Sequence, residues 1–426
     1  MTADARAALP PSGLELQAVT DAGRRMVELA DLHAADFAGQ AEGEGREEGY
    51  AAANMAALQE SRFLAACVPP DFGGLGVASV HDLAVGVNHL ARGDGSTALG
   101  ANMHLAASWR AARTWTAAKA AGDTATSEAL EPSLTALGAG QVLSSSAAAE
   151  PGTSPGYCRT RATPVEGGWR VSGRKTFATN SPAATAFSVF VAVEGDDGTE
   201  QLGVAQVLAG AEGLEVCDNW DALGMRASGS GDLVLKDCFV PEGMLSLMGP
   251  LGPTSSAMIQ VTLFGVSGLV GAFLGVAEAA QALAIDHVTT RRAAPSGRLA
   301  AERPAVQHLV AESAIDLAAA RAMLDRTLSA VDASFAVHEG EETPLDEAHR
   351  LMADFQCTKW FVNRKAVDIV DRALTLSGGA GYLTANPLSR LYRDVRAGPF
   401  MQSFSPLEAF EYIGKVTLGL DPALEQ

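Results

Sequence analysis

The sequence predicts an α+β protein in which a strand-rich segment separates two helical segments. From residue 14 to about 137, apolar residues recur every three or four positions, the period of amphipathic helices. From about 138 to 248, short β-branched and aromatic runs alternate with glycine turns, and beyond 253 the helical period returns. We therefore expect three domains, at residues 1–137, 138–248 and 249–426. The α–β–α order lacks the βαβ alternation of a nucleotide-binding Rossmann domain.

Within the first segment, Leu83, Val87 and Leu90 fall on one face of a predicted helix. A proline- and glycine-rich turn, VPPDFGGLG at residues 68–76, interrupts this helical pattern. In the middle segment, residues 187–193 form an apolar run rich in β-formers, and glycines such as Gly173 supply turns between strands.

The last segment contains four candidate helices, at residues 261–290, 305–332, 345–376 and 407–418. Ser405 predicts the N-cap of the last helix, because Pro406 follows it at the first helical position. The longest apolar stretch is broken by glycines and by Glu278, which favours a buried helix over a membrane span.

Charge and cysteine content narrow the function classes. A net charge of −19 argues against sequence-independent binding to nucleic acid or to an anionic membrane. The five cysteines are scattered without a C-x-x-C spacing, which favours reduced thiols over disulfides or a zinc site. This cysteine pattern also leads us to expect no bound metal. The first residues lack the pattern of a secretory signal, so we expect a cytoplasmic protein.

Five motif segments occur along the chain: VPPDFGGLG at residues 68–76, EPGTS at 150–154, GRKTFATN at 173–180, LGMR at 223–226 with Val240-Pro241, and SGGAGY at 377–382 followed by RLYRDVR at 390–396. In their sequences, order and separations, these five segments resemble the acyl-CoA dehydrogenases. This resemblance implies a helical N-terminal domain, a central β-sandwich or barrel, and a C-terminal four-helix bundle. It also implies a flavin cofactor, FAD, either tightly held or supplied in reduced form, as FAD or FMN, by a reductase.

The resemblance places several residues at the flavin. Phe177 occupies the position of an aromatic wall and Thr179 that of a hydroxyl bonding the ring, with Ala149, Ser154 and Ser405 nearby. For the dinucleotide end, often shared between subunits, it implies the residues Arg292 (or Arg291), Thr375, Gly378 and Gly379. Thr375 stands where the family usually has glutamine, which weakens that contact. A homotetramer or dimer follows from the same resemblance.

The family's catalytic glutamate is absent from its usual place. Counted from Arg393-Asp394 that position is Gln402, and counted from the Ser405 cap it is Ser403; neither is a useful base at neutral pH. The alternative position on the long central helix carries no carboxylate either. A shifted loop that brings Glu408 inward remains an open alternative.

Some proteins of this fold are flavin-dependent monooxygenases, which need no such glutamate. In that branch a histidine commonly follows a d-x-S-x-A segment, and here DGSTA at residues 94–98 leads to His104. His104 is therefore the candidate base or hydrogen-bond donor, with an ordinary buried histidine as the alternative.

We therefore expect a flavin-dependent oxidoreductase. The leading hypothesis is an oxygen-using monooxygenase or oxidase that acts on a small molecule. The alternatives are a dehydrogenase of an acyl-CoA or acyl-carrier-protein thioester with an unconventional base, and an inactive relative. The predicted catalytic residues are His104, Gln402 and Ser403. The residues predicted to contact substrate are Met103, Phe264, Phe400 and Met401.

Overall fold

The computed structural model describes residues 14–40, 49–153, 156–195, 198–252, 255–292, 295–338, 342–401 and 403–423. The chain begins with helices, continues through a sheet and ends with longer helices. The first helices are α1 (Asp21–Gln40), α2 (Ala52–Glu60), α3 (Val80–Ala91), α4 (Gly95–Ala121) and α5 (Thr124–Gly138). Side-chain caps start three of them: Ser79 accepts from Asp82 N–H, Asp94 from Thr97 N–H, and Asp123 from Thr126 N–H.

The strands form one mixed sheet. They are β1 (Ser144–Ala147), β2 (Arg161–Val165), β3 (Gly168–Ala178), β4 (Ala186–Glu194), β5 (Glu200–Leu208), β6 (Leu214–Val216), β7 (Gly231–Pro241) and β8 (Leu245–Pro250). The order is β6-β7-β3-β2-β4-β5-β8, with β1 paired in parallel to β4. Strand β4 is buried on both faces: Val189 and Val191 belong to one apolar cluster and Phe190 to another. Both faces of β4 are therefore covered, as its continuous apolar sequence requires.

The last helices are α6 (Ser256–Thr290), α7 (Pro304–Val337), α8 (Leu345–Ser377), α9 (Pro387–Val395) and α10 (Pro406–Leu418). Four of them coincide with the helices expected from the sequence, and α9 was not predicted. Helix α6 is long and apolar enough to cross a membrane, but 78% of its most apolar window is buried inside the protein. It is therefore the core helix that the interrupted apolar run predicts, and α3, α4, α7 and α8 all contact it.

A buried carboxylate on α6 joins three helices. Glu278 is 7% exposed and accepts hydrogen bonds from Arg92 Nε at 2.9 Å and Arg321 Nε at 2.6 Å. Arg92 is the C-cap of α3 and Arg321 belongs to α7, so this triad fixes both helices to the core helix. The two cations compensate the desolvation of a charge that would otherwise be costly to bury.

Three motif segments meet at Met225. The Asp394 carboxylate on α9 accepts from Met225 N–H at 2.6 Å, and the Arg390 guanidinium bridges Asp394 to Asp94 at the start of α4. A side chain at Gly224 would collide with the backbone, because its Cβ would lie 2.2 Å from the Arg393 carbonyl oxygen. These motif residues therefore hold the helical segments against the sheet.

Candidate functional site

A cavity of about 270 Å³ lies between the sheet and the two helical segments. Helix α4 presents one face to it, with Met103, Ala106, Ala107 and Arg110 at helical spacing. The facing wall comes from α6, and the sheet contributes side chains from β1, β4 and β5. These lining residues are Met258, Val261, Thr262, Gly265, Val266 and Leu269 of α6, and Ser146, Ser188, Phe190 and Leu202 of the sheet.

The loop between α9 and α10 closes one side of the cavity with Phe400, Ser403, Phe404 and Ser405. Three side chains of α8 hold this loop by hydrogen bonds. Gln356 Nε2 donates to Ser403 Oγ at 2.9 Å, Lys359 Nζ to the Phe404 carbonyl at 2.7 Å, and Asn363 Nδ2 to the Gly398 carbonyl at 2.9 Å. Burial lowers the pKa of Lys359 to about 7, against a smaller opposing effect of the Glu408 charge. The loop that would carry the family's glutamate is therefore firmly supported.

A buried ion pair forms another part of the wall. Glu150 Oε1 accepts from Lys175 Nζ at 2.5 Å and from Thr160 Oγ1 at 2.6 Å, and Oε2 accepts from Arg159 N–H at 2.8 Å. Burial would raise the pKa of Glu150, but the hydrogen bonds and the Lys175 charge outweigh it and lower the pKa to about 2. Glu150 thus stays ionised and holds the strand that follows its own loop, and its affinity for a further proton is low.

The second carboxylate on the cavity wall is Glu408. Its Oε2 accepts from the Ser405 N–H at 2.7 Å, while Ser405 Oγ caps α10, so the two residues form a capping box. Glu150 and Glu408 are the acidic residues among the described cavity-lining residues, and both are engaged. In the described cavity we therefore find no free carboxylate to remove an α-proton from a thioester.

The predicted flavin residues Phe177 and Thr179 lie at the end of β3, outside the cavity lining. The Phe177 ring is 63% exposed and packs edge-on against Trp220, at 6.0 Å between centroids. The Thr179 hydroxyl is buried and shares a hydrogen-bonded chain with the Ser230 and Ser228 hydroxyls. An exposed aromatic face beside hydroxyl groups fits an isoalloxazine ring, which needs an apolar wall and polar contacts at its edge.

The residues predicted for the dinucleotide end lie on the surface. Arg292 donates to the Gly297 carbonyl at 2.8 Å, and the Thr375 hydroxyl donates to the Asp371 carbonyl of its own helix. Gly378 has a φ of +62°, a left-handed conformation that ends α8. A Cβ atom added at Gly378 or Gly379 would have no neighbouring atom of this chain within 4 Å. Their contribution to cofactor binding stays a prediction.

The structure gives no support to the prediction that His104 is a base. Its ring is fully buried and does not line the cavity. Nδ1 accepts from the Ser144 N–H at 3.0 Å, so the neutral ring carries its proton on Nε2, which faces the Leu64 carbonyl at 3.1 Å and Ser108 Oγ at 3.3 Å. Burial lowers the pKa of His104 to about 4. The ring joins α4 to the segment before it and to β1, which is a structural role.

The cavity gathers five of the predicted residues: Met103, Ala149, Phe400, Ser403 and Ser405. Two of the four predicted substrate residues lie outside its lining. Phe264 is fully buried and stacks on Trp109 with 3.7 Å between ring centroids, and Met401 packs on the main core. The remaining two predictions, Ser154 and Gln402, lie outside the described residues.

Sequence reasoning missed Arg110, the basic residue among the described cavity-lining residues. Arg110 follows Met103 by seven positions, or about two helical turns, and therefore lies on the same face of α4. Helical spacing from a predicted pocket residue was the signal that could have found it.

Comparisons with known proteins agree with this architecture. The family model of the acyl-CoA dehydrogenase middle domain matches residues 146–238, and that of the C-terminal domain matches residues 267–406. An amino sugar nitrososynthase from Streptomyces rubradiris, RubN8, is 36% identical over 98% of this chain and 94% of its own length. The chain belongs to the acyl-CoA dehydrogenase superfamily. The predicted resemblance and the α+β fold class are thereby confirmed.

Other members of the superfamily are similar along nearly the whole chain. The L-evernosamine nitrososynthase of a Micromonospora species is 33% identical over 95% of this chain and 92% of its own length. The crystal structure of KijD3 with FMN and dTDP-3-amino-2,3,6-trideoxy-4-keto-3-methyl-D-glucose superposes with a TM-score of 0.86 at 33% identity, covering 96% of each chain. The prediction of a flavin-dependent, oxygen-using oxidoreductase with a small-molecule substrate is confirmed.

Proposed function

We propose that the protein oxidises the primary amine of a nucleotide-linked amino sugar, with molecular oxygen as the oxidant and reduced flavin as the reductant. The observation that carries the proposal is the state of the cavity's carboxylates. Glu150 is bound by Lys175, and Glu408 is bound in the cap of α10, so the described residues of the cavity offer no free carboxylate for proton abstraction next to a thioester. Amine oxygenation needs no such base.

The substrate class rests on the relatives. RubN8 and the L-evernosamine enzyme are nitrososynthases, and KijD3 was crystallised with a dTDP-linked 3-amino sugar. Identity above 30% extends over nearly the full length of this chain, so the cavity walls belong to the shared region. The cavity-lining residues include Ser146, Ser188, Thr262 and Ser403, whose polar side chains suit the hydroxyl groups of a sugar.

The proposed reaction converts R–NH2 first to R–NHOH and then to R–N=O. The first oxygenation consumes one O2 and one reduced flavin and releases one water; the second consumes the same pair and releases two waters. When bound, reduced flavin would supply two of the four electrons that reduce each O2, and the substrate nitrogen supplies the other two. Phe177 and Thr179 are the residues we propose to hold its ring, by the exposed aromatic face and the buried hydroxyl. A separate flavin reductase is the proposed source of reduced flavin.

The charges of the cavity favour the neutral form of the substrate amine. An amine reacts through its lone pair, so it must lose its proton first. Lys175 neutralises Glu150, and Glu408 is held in the cap of α10, so neither described carboxylate of the cavity is free to pair with an ammonium. The chain's own contribution to this chemistry is therefore to bind the sugar, orient its amine and keep that amine unprotonated.

The test uses the purified full chain, a flavin reductase with its nicotinamide donor, oxygen, and the dTDP-3-amino sugar bound by KijD3. Mass spectrometry follows the gain of oxygen on the sugar nucleotide, and an oxygen electrode follows consumption. A matched sugar nucleotide with a hydroxyl in place of the amine controls for oxygen consumed by reduced flavin alone.

We expect substrate-dependent formation of hydroxylamine and nitroso products from the amino sugar. Failure to oxygenate the sugar, together with anaerobic bleaching of oxidised flavin by an acyl-CoA or acyl-carrier-protein thioester, would overturn the proposal in favour of a dehydrogenase. A protein that does neither would belong to the inactive class.

A further inference from the structure

Arg110 differs from three other part-buried arginines of this protein, each of which pairs with a carboxylate. Arg321 pairs with Glu278, Arg372 with Asp316, and Arg390 with Asp94 and Asp394. Within the described part of the chain, Arg110 has no carboxylate at ion-pair distance. Its recorded side-chain contact is a single hydrogen bond from Nη2 to Ser188 Oγ, at 3.3 Å.

An arginine side chain carries five N–H donors, so most of the donors of Arg110 are available to a ligand. The guanidinium borders the cavity, and burial lowers its pKa, which indicates a charge taken partly out of water. Such a charge is costly unless a counter-charge joins it, and the chain supplies none from its described residues. A bound anion would supply the missing partner.

We propose that Arg110 is a binding residue for a phosphate group inside the cavity. This inference rests on the proposed function, under which the phosphate is the diphosphate of the nucleotide-linked substrate. The planar guanidinium matches the spacing of phosphate oxygens and binds them by two parallel hydrogen bonds. Arg110 lies about 10 Å along α4 from Met103, so a phosphate there leaves the Met103 end of the cavity to the sugar.

The phosphate could belong either to the substrate or to FMN, and binding experiments separate the two sources. Isothermal titration calorimetry measures the affinity of the protein for each probe separately. The affinity for dTDP is compared with that for thymidine, and the affinity for FMN with that for riboflavin; inorganic pyrophosphate is measured alone. The variants are Arg110→Met, which keeps an apolar side chain of similar length, and Arg110→Lys, which keeps the positive charge but lacks the planar guanidinium. Arg113→Met is the matched control, because Arg113 lies one turn further on α4, over the Trp109 and Phe335 rings.

We expect Arg110→Met to weaken dTDP binding by roughly 10- to 100-fold, as for loss of hydrogen bonds to a charged group, and to leave thymidine binding unchanged. Arg110→Lys should recover part of the affinity, and Arg113→Met should match the wild type. The melting temperature of Arg110→Met should equal or exceed that of the wild type, because an unpaired buried charge is removed. A variant that melts far below the wild type would contradict this account.

The remaining outcomes separate this inference from the proposed function. Loss of pyrophosphate binding in Arg110→Met, with no dTDP binding to any variant, would keep the phosphate site and overturn the nucleotide-linked substrate. If Arg110→Met binds FMN more weakly but binds riboflavin and dTDP as the wild type does, the phosphate belongs to the flavin, and the assignment to the substrate is overturned. Equal affinities of wild type and Arg110→Met for every phosphate-bearing probe would overturn the site itself.

Discussion

Replacing His104 tests whether this residue supports the fold or takes part in the reaction. In His104→Leu the Ser144 N–H and the Leu64 carbonyl both lose their side-chain partner in a dry interior. Two buried unpaired groups cost about 2–6 kcal/mol of unfolding free energy in total. His104→Asn is the matched variant, since its amide oxygen can still accept from Ser144, and we expect it to lose about half as much.

The pH dependence of the unfolding free energy gives a second, independent test of the structural role of His104. The pKa of His104 is about 4 in the folded chain, against 6.5 for a free histidine. The unfolded chain therefore binds more protons between these pH values, so the stability contributed by neutral His104 is complete above pH 6.5 and falls as the pH drops towards 4. From pH 7.5 to pH 5 this loss amounts to about 2 kcal/mol. Both variants lack the titrating group, so their stability should fall by about 2 kcal/mol less than that of the wild type over the same interval.

Urea unfolding followed by circular dichroism, at fixed protein concentration and at pH 7.5 and pH 5, measures both effects. Product formation from the amino sugar, measured well below the unfolding transition, supplies the second readout. The structural role is refuted if His104→Leu unfolds as the wild type does at both pH values while its kcat falls and the acidic limb of its pH profile moves. That result would restore His104 as the base.

Three further substitutions test other parts of the structure. Glu278→Ala should lower the free energy of unfolding by about 3 kcal/mol, because two arginines lose their buried partner; the exposed Glu312→Ala should cost under about 1 kcal/mol. Gly224→Ala should lower the melting temperature, because its Cβ would lie 2.2 Å from a carbonyl oxygen of α9. Phe177→Ala should weaken flavin binding by about tenfold in a fluorescence-quenching titration, while Phe239→Ala, another exposed aromatic residue, should not change it.

Each of these expectations has a clear contrary result. Equal losses for the two glutamate variants would mean that the triad on α6 adds nothing beyond a surface pair. An unchanged melting temperature for Gly224→Ala would show that α9 moves aside without cost. Equal flavin affinity in both phenylalanine variants would remove Phe177 from the cofactor site.

The α+β class was predictable because the apolar residues recur with a helical period in the first and last segments and with a strand pattern in the middle one. The family was predictable from the order and spacing of the five motifs. Four of the five C-terminal helices were expected, and α9 was missed although Asn386 and Pro387 form a regular N-cap and first-turn pair. Asn386 and Pro387 lie between the SGGAGY and RLYRDVR segments, and the resemblance of those segments to the family does not by itself indicate a helix start. In the structure α9 carries Asp394, whose contact with Met225 positions the turn between β6 and β7.

Helical geometry explains which pocket predictions fall in the cavity. Positions 258, 261, 262, 265, 266 and 269 of α6 follow one face, whereas Phe264 points away from that face and stacks on Trp109. The same rule places Arg110 beside Met103 on α4. The role of His104 was not predictable in this way, because its partners Leu64 and Ser144 are forty residues away on either side.

The loop that stands at the position of the family's catalytic glutamate is supported by side chains of α8. Gln356 and Lys359 of α8 still bind the loop at Ser403 and Phe404, so its conformation does not depend on the missing glutamate. Glu150 is bound by Lys175 and Glu408 by the cap of α10, and neither lies at ion-pair distance from Arg110. A cavity whose described carboxylates are both engaged is poorly suited to proton abstraction, and an arginine without a carboxylate partner suits an anionic ligand.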